Sequence, residues 1–150
     1  MTLLLPAHLL HEAERHGEGH YPEEGAGLIL GTRNEEQRAA ARLLPLPNVF
    51  EETSRGRRYR IEPRTLLEAE EQAEAQGLEI IGVFHSHPDH PPEPSVFDHT
   101  WALPVYSYVI TQVNLGIAMG SRSWRLTEDR AAMIEEAMVV EDATGGTEVS

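Results

Sequence analysis

The sequence predicts one domain of the α+β or α/β class. Short apolar runs bounded by glycine and proline indicate β-strands, and helical patterns lie between them. The length of 150 residues is typical of a single domain, and no internal repeat or linker divides the chain. We therefore expect one domain over residues 1–140 and a flexible polar tail over residues 141–150.

Composition and charge exclude several classes of partner. The formal net charge of −13 argues against binding to nucleic acid or to anionic membranes, because both need basic surfaces. No apolar run approaches the ~20 residues of a membrane span, and the N-terminus has no basic segment typical of a signal peptide. Cysteine is absent, so the chain has no disulfide framework, and redox chemistry gives no information about its compartment. A cytoplasmic location is the default expectation.

The first half of the chain predicts one helix and three strands. Residues 6–16 have helical spacing, and we expect Gly17 and Gly19 to end this helix between His16 and His20, leaving both histidines solvated. Strands are predicted over residues 26–30 and 38–46. The basic cluster at residues 57–61 favours a further short strand, and a docking face for an acidic partner is the alternative.

The second half also predicts helices and strands. A helix over residues 63–76 begins with proline in its first turn and ends at Gly77, and a buried strand over residues 78–85 follows it. Strands are also predicted over residues 106–111, 115–119 and 121–126. Thr127 suits the N-cap of a last helix over residues 128–138.

Most of the candidate functional residues lie in the stretch from Gly82 to Asp98. His85 and His87 end the buried strand, and alternate side chains of a strand point to the same face. The loop that follows is rich in proline and can bring Asp98 back toward both histidines. Two imidazoles and one carboxylate are the ligands of a catalytic tetrahedral zinc, which keeps its fourth position for water.

Other residues of this stretch have simpler interpretations. Ser95 suits a helix N-cap with Asp98 in the first turn, and this structural role is compatible with a functional one. His90 could share a metal with His87 if the loop were helical. The prolines argue against a helix, so we expect His90 to be exposed or to lie behind the ligands.

These residues resemble the His-x-His-x7-Ser-x-x-Asp signature of the JAMM (MPN+) metallopeptidases. The match is His-Ser-His-Pro, six further residues, and Ser-Val-Phe-Asp, ending at Asp98. Upstream, the segment from Tyr21 to Gly31 looks like the family's Pro-x-Glu segment, and Glu24 matches its glutamate. Ala26 stands where the family often has cysteine. The resemblance extends from about residue 4 to about residue 126.

The resemblance implies a fold, a cofactor and a substrate class. It implies an MPN/JAMM-like, cytidine-deaminase-like fold, with a central mixed β-sheet flanked by helices. One zinc would be held by His85, His87 and Asp98, with Glu24 as general base and acid and Ser95 as oxyanion donor. The expected reaction is hydrolysis of peptide or isopeptide bonds after the C-terminal Gly-Gly of a ubiquitin-like, sulfur-carrier-type protein. The sequence leaves open whether the protein is a monomer or a homodimer.

Three other functions stay open at this point. The same site could hydrolyse amides of small peptides, cell-wall fragments or amino-acid adducts of a carrier protein. Metal-free relatives of this fold serve as non-catalytic scaffolds, although every motif position is intact here. Metal storage by the histidine-rich loop is a further alternative.

Overall fold

A computed structural model describes residues 1–46, 61–141 and 147–149, and the predicted strand at residues 57–61 lies outside these ranges apart from Ile61. The described ranges contain three helices and eight strands. In chain order they are β1 (Thr2–Pro6), α1 (Ala7–His20), β2 (Ala26–Arg33), β3 (Gln37–Leu46), α2 (Pro63–Ala75), β4 (Glu79–Pro88), α3 (Val96–Trp101), β5 (Ser107–Asn114), β6 (Ile117–Leu126), β7 (Met133–Glu141) and β8 (Thr147–Val149).

The strands form one mixed sheet in the order β1-β3-β2-β4-β5-β6-β7-β8. β1 pairs in parallel with both β3 and β7, so the sheet closes on itself from β1 to β7. β4 and β5 are also parallel, whereas the other neighbours are antiparallel. The predicted mixed α/β class and central mixed sheet are confirmed.

Two buried clusters hold the helices against the sheet. Leu9 and Ala13 of α1 pack in one cluster with residues that include Ile81 and Phe84 of β4. Ala69 and Ala73 of α2 pack in the other cluster, which includes neighbouring residues of β4 that face the opposite way. β4 therefore has a helix on each side, which makes it a rigid base for the histidines at its end.

The predicted end of the first helix is wrong. α1 continues through Gly17 and Gly19 to His20, so His16 and His20 lie one turn apart with ring centroids separated by 4.3 Å. A Cβ at Gly17 would lie 2.8 Å from the Cβ of Ser86 on β4. Gly17 thus allows close contact between helix and strand, and here this packing outweighs the helix-breaking tendency of glycine.

The prediction of a last helix over residues 128–138 is also wrong. Thr127 begins a turn, in which its N–H donates to the carbonyl of Ala132 at 2.9 Å, and β7 follows. Glu136, Met138 and Val140 are buried at alternate positions, as in a strand. Because Glu136 is charged, the sequence does not show the regular alternation of apolar residues that indicates a strand. β6 is one strand where two were predicted, and β1 was not predicted.

At the C-terminus, Thr147–Val149 pair with β7 in antiparallel fashion, and Glu141 ends β7. The flexible tail was predicted over residues 141–150, whereas Glu141 and Thr147–Val149 lie in strands. The domain boundary at residue 140 stays a prediction. No helix among the described residues is long and apolar enough to cross a membrane.

Candidate metal centre

His85 and His87 lie near the end of β4, with both side chains on one face and almost fully buried. The strand is paired on both sides at His85 and on one side at His87. Ala26 of β2 is paired with His85, and β5 accompanies β4 as far as Pro88. The backbone of both histidines is therefore fixed by the sheet, which leaves little freedom for the two imidazoles.

Three donor groups converge at this place. The Nε2 atoms of His85 and His87 are 3.2 Å apart. Asp98 directs Oδ1 to His85 Nε2 at 3.2 Å and Oδ2 to His87 Nε2 at 3.1 Å. The structure thus brings together the three predicted ligands, from β4 and from α3.

These separations fit a zinc ion. In a tetrahedral site with bonds of about 2.0–2.1 Å, neighbouring ligand atoms lie about 3.3–3.4 Å apart, close to the observed spacing. The donor set of two imidazoles and one carboxylate is one that zinc uses in hydrolytic sites. The residues therefore fit the cofactor that the sequence predicts.

Glu24 completes the cluster from the neighbouring strand. Since Ala26 pairs with His85 in an antiparallel ladder, extending the register by two residues places Glu24 opposite His87. The Glu24 side chain is 1% exposed, and its Oε1 lies 3.8 Å from His87 Nε2. Glu24, His85 and His87 form a group that could hold a metal ion. The distance to His87 is longer than that of Asp98, which favours Asp98 as the third ligand and Glu24 as a group beside the metal.

Asp98 is oriented by the start of α3. Ser95 is the N-cap, and its Oγ accepts the Asp98 N–H at 3.1 Å, while Asp98 Oδ2 accepts the Ser95 N–H at 2.9 Å. This reciprocal capping box confirms the predicted structural role of Ser95. A hydroxyl that accepts one hydrogen bond still carries its own proton to donate, so Ser95 can also serve an oxyanion.

The electrostatics keep Asp98 ionised. Burial alone raises the pKa of this carboxyl, but the charge interaction with His85, the close contacts with Nε2 of both histidines and the hydrogen bond from the Ser95 N–H together hold the pKa well below its usual range. An anionic carboxylate at this position is the form that binds a cation.

Contacts behind His87 set the orientation of its ring. Its Nδ1–H donates to the carbonyl of Pro91 at 2.8 Å, which fixes the tautomer and leaves Nε2 facing Asp98. The ring of His90 stacks on His87 at 4.1 Å and donates from Nδ1 to the carbonyl of Pro88 at 2.8 Å. His90 thus lies behind the ligand, as expected. Trp124 of β6 supports the same loop by donating to the carbonyl of Pro92 at 2.9 Å.

Sequence reasoning assigned no role to two residues that hold the Glu24 segment. His16 Nε2–H donates to the Ala26 carbonyl at 3.0 Å, and Ser86 Oγ accepts the Gly25 N–H at 2.9 Å. His16 was predicted to be solvated, because the helix was expected to stop after it. The intact His-x-His motif contains Ser86, but spacing alone does not reveal the partner of its hydroxyl.

The fold and the cluster define a small α/β domain with a buried His₂–carboxylate centre and a glutamate beside it. The family model described as prokaryotic homologs of the JAB domain matches residues 6–127. The chain belongs to this family, which confirms the JAMM-type resemblance.

Relatives and solved structures agree with this assignment. A protein of Thermus thermophilus named probable TtuB-protein conjugate cleaving protease is 36% identical over 113 residues, which cover 73% of this chain and 70% of that protein. A desampylase of Haloferax volcanii is 31% identical over 103 residues, or 68% of this chain and 71% of the relative. A solution structure from Desulfitobacterium hafniense has a TM-score of 0.80 and 27% identity, covering 95% of this chain and 94% of that one. Another from Salinibacter ruber has a TM-score of 0.72 and 34% identity, covering 97% and 95%.

Proposed function

We propose that the protein is a zinc-dependent peptidase or isopeptidase, which hydrolyses the amide bond after the C-terminal Gly-Gly of a ubiquitin-like, sulfur-carrier-type protein. The observation that carries the proposal is the placement of the buried Glu24 carboxylate beside the cluster of His85, His87 and Asp98. A metal site alone could be structural. A buried carboxylate adjacent to three ligands is what hydrolysis needs in addition, because a proton must be moved.

The positions of the residues support a role for each of them in this proposal. His85, His87 and Asp98 would hold the zinc, which would act as a Lewis acid on the scissile carbonyl and would make a water acidic enough to attack near neutral pH. Glu24 takes a proton from the attacking water. It then returns a proton to the leaving amine as the C–N bond breaks. The Ser95 hydroxyl donates to the carbonyl oxygen as negative charge develops there.

The substrate class is supported by the names of relatives. The Thermus thermophilus protein is named for cleaving conjugates of a protein called TtuB, and two relatives are named desampylases. We infer that this chain also cleaves conjugates between a ubiquitin-like protein and its targets. The formal charge of −13 agrees with the inferred lack of a nucleic-acid or membrane partner. We further propose a cytoplasmic monomer or homodimer with a fold related to that of cytidine deaminases.

A substrate panel tests this proposal against its alternatives. Zinc-loaded protein is incubated with a Gly-Gly-linked conjugate of a ubiquitin-like sulfur carrier, with the same conjugate carrying Ala-Ala at its C-terminus, and with short peptides and cell-wall amides. We expect cleavage of the Gly-Gly conjugate only. Cleavage of the small amides alone would instead assign the protein as a small-molecule hydrolase. A folded protein that takes up no zinc would indicate a scaffold.

A further inference from the structure

Ser86 lies between the two predicted metal ligands but points to the other face of β4. Because side chains alternate along a strand, the faces of His85 and His87 are turned away from that of Ser86. Ser86 is 2% exposed, and its hydroxyl is directed at the chain segment that carries Glu24. A single tripeptide therefore contacts both the predicted metal and the segment of the predicted base.

Two hydrogen bonds join Ser86 to Gly25, the residue after Glu24. The Ser86 N–H donates to the Gly25 carbonyl at 3.0 Å, and the Gly25 N–H donates to Ser86 Oγ at 2.9 Å. Gly25 lies just before β2, where the regular ladder with β4 ends at the Ala26–His85 pair. The backbone N–H and the hydroxyl of Ser86 thus extend the attachment between the strands by one residue beyond the ladder, to Gly25, the neighbour of the residue that bears the carboxylate.

Helix α1 packs against Ser86 from behind. A Cβ at Gly17 would meet the Ser86 Cβ at 2.8 Å and its Oγ at 3.3 Å, so the absence of a side chain at Gly17 leaves just enough room for the hydroxyl. His16, the preceding residue of α1, donates to the Ala26 carbonyl. The segment from Glu24 to Ala26 is therefore held between α1 and β4, with Ser86 at the centre of the contact.

We propose that Ser86 is a positioning residue, which holds Glu24 at its place beside the metal centre through the Gly25 N–H. This inference rests on the proposed function, because it gives Glu24 the role of general base. Ser86 itself does not face the cluster and takes no part in the proton transfer. Its loss should leave metal binding and substrate binding in place and reduce the chemical step.

A matched pair of substitutions isolates the hydroxyl. Thr and Val have the same shape, so Ser86→Thr and Ser86→Val impose the same crowding near Gly17 and differ only in the acceptor for the Gly25 N–H. Ser86→Ala removes the hydroxyl without adding bulk. With zinc-loaded proteins we expect kcat to fall by about 10- to 100-fold in the Ala variant, because small displacements of a reacting group are costly. KM and the zinc content should be unchanged, and kcat should be higher for Thr than for Val.

Amide hydrogen exchange at Gly25 provides a readout without substrate. We expect this amide to be protected in the wild type and to exchange at least about 10-fold faster in Ser86→Ala. Unchanged exchange would overturn the proposal whether or not any substrate is cleaved. Equal kcat for wild type and Ser86→Ala, or for Thr and Val, would overturn it as well. Failure of the wild type to cleave any conjugate, with Gly25 exchange still dependent on the hydroxyl, would instead count against the proposed function and reduce the role of Ser86 to a structural one.

Discussion

The carboxylate of Glu24 is 1% exposed, and a buried charge is costly unless opposite charge or hydrogen bonds accompany it. Its neighbour at 3.8 Å is His87, which faces Asp98 as well. The Nε2 atoms of His85 and His87 and the carboxylate of Asp98 lie 3.1–3.2 Å from one another, which is close to the spacing of neighbouring ligands around a zinc ion. At the scale of single residues, this spacing is the reason to expect metal binding.

Substitution of His87 should reduce the zinc affinity much more than substitution of its stacked neighbour His90. His87→Ala removes a predicted ligand, so its loss of zinc affinity should exceed the roughly 10- to 100-fold that loss of an outer-shell partner costs. His90→Ala removes a ring that lies 4.1 Å from that of His87 and should cost less than about 10-fold. Competition with a chromophoric chelator measures both affinities. Equal affinities in the two variants would contradict the assignment of His87.

The imidazole of His16 should make stability depend on pH. Burial lowers its pKa first, the charge interaction with His20 lowers it further, and the hydrogen bond to Ala26 only partly opposes both effects. The folded state therefore binds fewer protons at this site than the unfolded state, whose histidine has a pKa of about 6.5. The stabilising contribution is present above that value and is lost as the pH falls below it.

Thermal unfolding of His16→Gln measures this contribution. The amide of glutamine can still donate to the Ala26 carbonyl but does not titrate. Between about pH 7.5 and about pH 5.5, the unfolding midpoint of the wild type should fall more than that of His16→Gln. His11→Gln, at an exposed position of the same helix, is the control and should behave as the wild type. A wild-type midpoint that falls no more than that of His16→Gln would refute this explanation.

The sequence predicts those site residues that a motif of fixed spacing connects. The four motif positions His85, His87, Ser95 and Asp98 are separated by fixed numbers of residues, and the structure places them together. The contact between Gly25 and Ser86 joins residues 61 positions apart. It depends on a backbone N–H, which every residue except proline has, so no residue type marks it in the sequence.

At the scale of secondary structure, α1 carries two glycines in different surroundings. A Cβ at Gly17 would lie 2.8 Å from Ser86, whereas at Gly19 no atom lies within 4 Å. Gly17→Ala should destabilise the protein by about 1–3 kcal/mol through overpacking. Gly19→Ala should stabilise it by about 0.5–1 kcal/mol through helix propensity. Urea unfolding measures both free energies, and effects of the same sign would show that the close approach of α1 to β4 is not as described.

The elements that were predicted well have strong local patterns. α2 and β4 have clear ends in proline or glycine and continuous apolar faces. The helix end at Gly17 and the helix in place of β7 were wrong because the deciding contacts are tertiary. Gly17 meets β4, and Glu136 of β7 is buried against Arg38 of β3. Neither neighbour can be inferred from local sequence.

At the scale of the whole molecule, the closed sheet contains a buried polar network. Arg38 of β3 contacts Glu136 of β7 at 3.4 Å and the Ser107 hydroxyl of β5 at 3.2 Å. Glu136 also accepts from Ser123 of β6 at 2.8 Å. The network therefore connects four strands of the closed sheet. Because Arg38 and Glu136 are both buried, each charge needs the other to offset the cost of its burial.

Removing one partner of this pair should cost more than removing both. Arg38→Met leaves the Glu136 carboxylate buried without its cation and should destabilise the protein by about 3–5 kcal/mol. In the double variant Arg38→Met with Glu136→Leu, most of that loss should be recovered. A double-mutant cycle in urea tests this. Additive effects of the two substitutions would show that the pair does not act as a unit.

In the proposed mechanism, Glu24 moves protons at a zinc centre that other residues hold. The most direct test compares zinc-loaded wild type with Glu24→Gln, with zinc content and cleavage of a Gly-Gly-linked conjugate measured on the same samples. We expect one zinc per chain in both proteins and a loss of at least about 100-fold in kcat for the variant. A Glu24→Gln protein that keeps its zinc and cleaves the conjugate at the wild-type rate would contradict the claim.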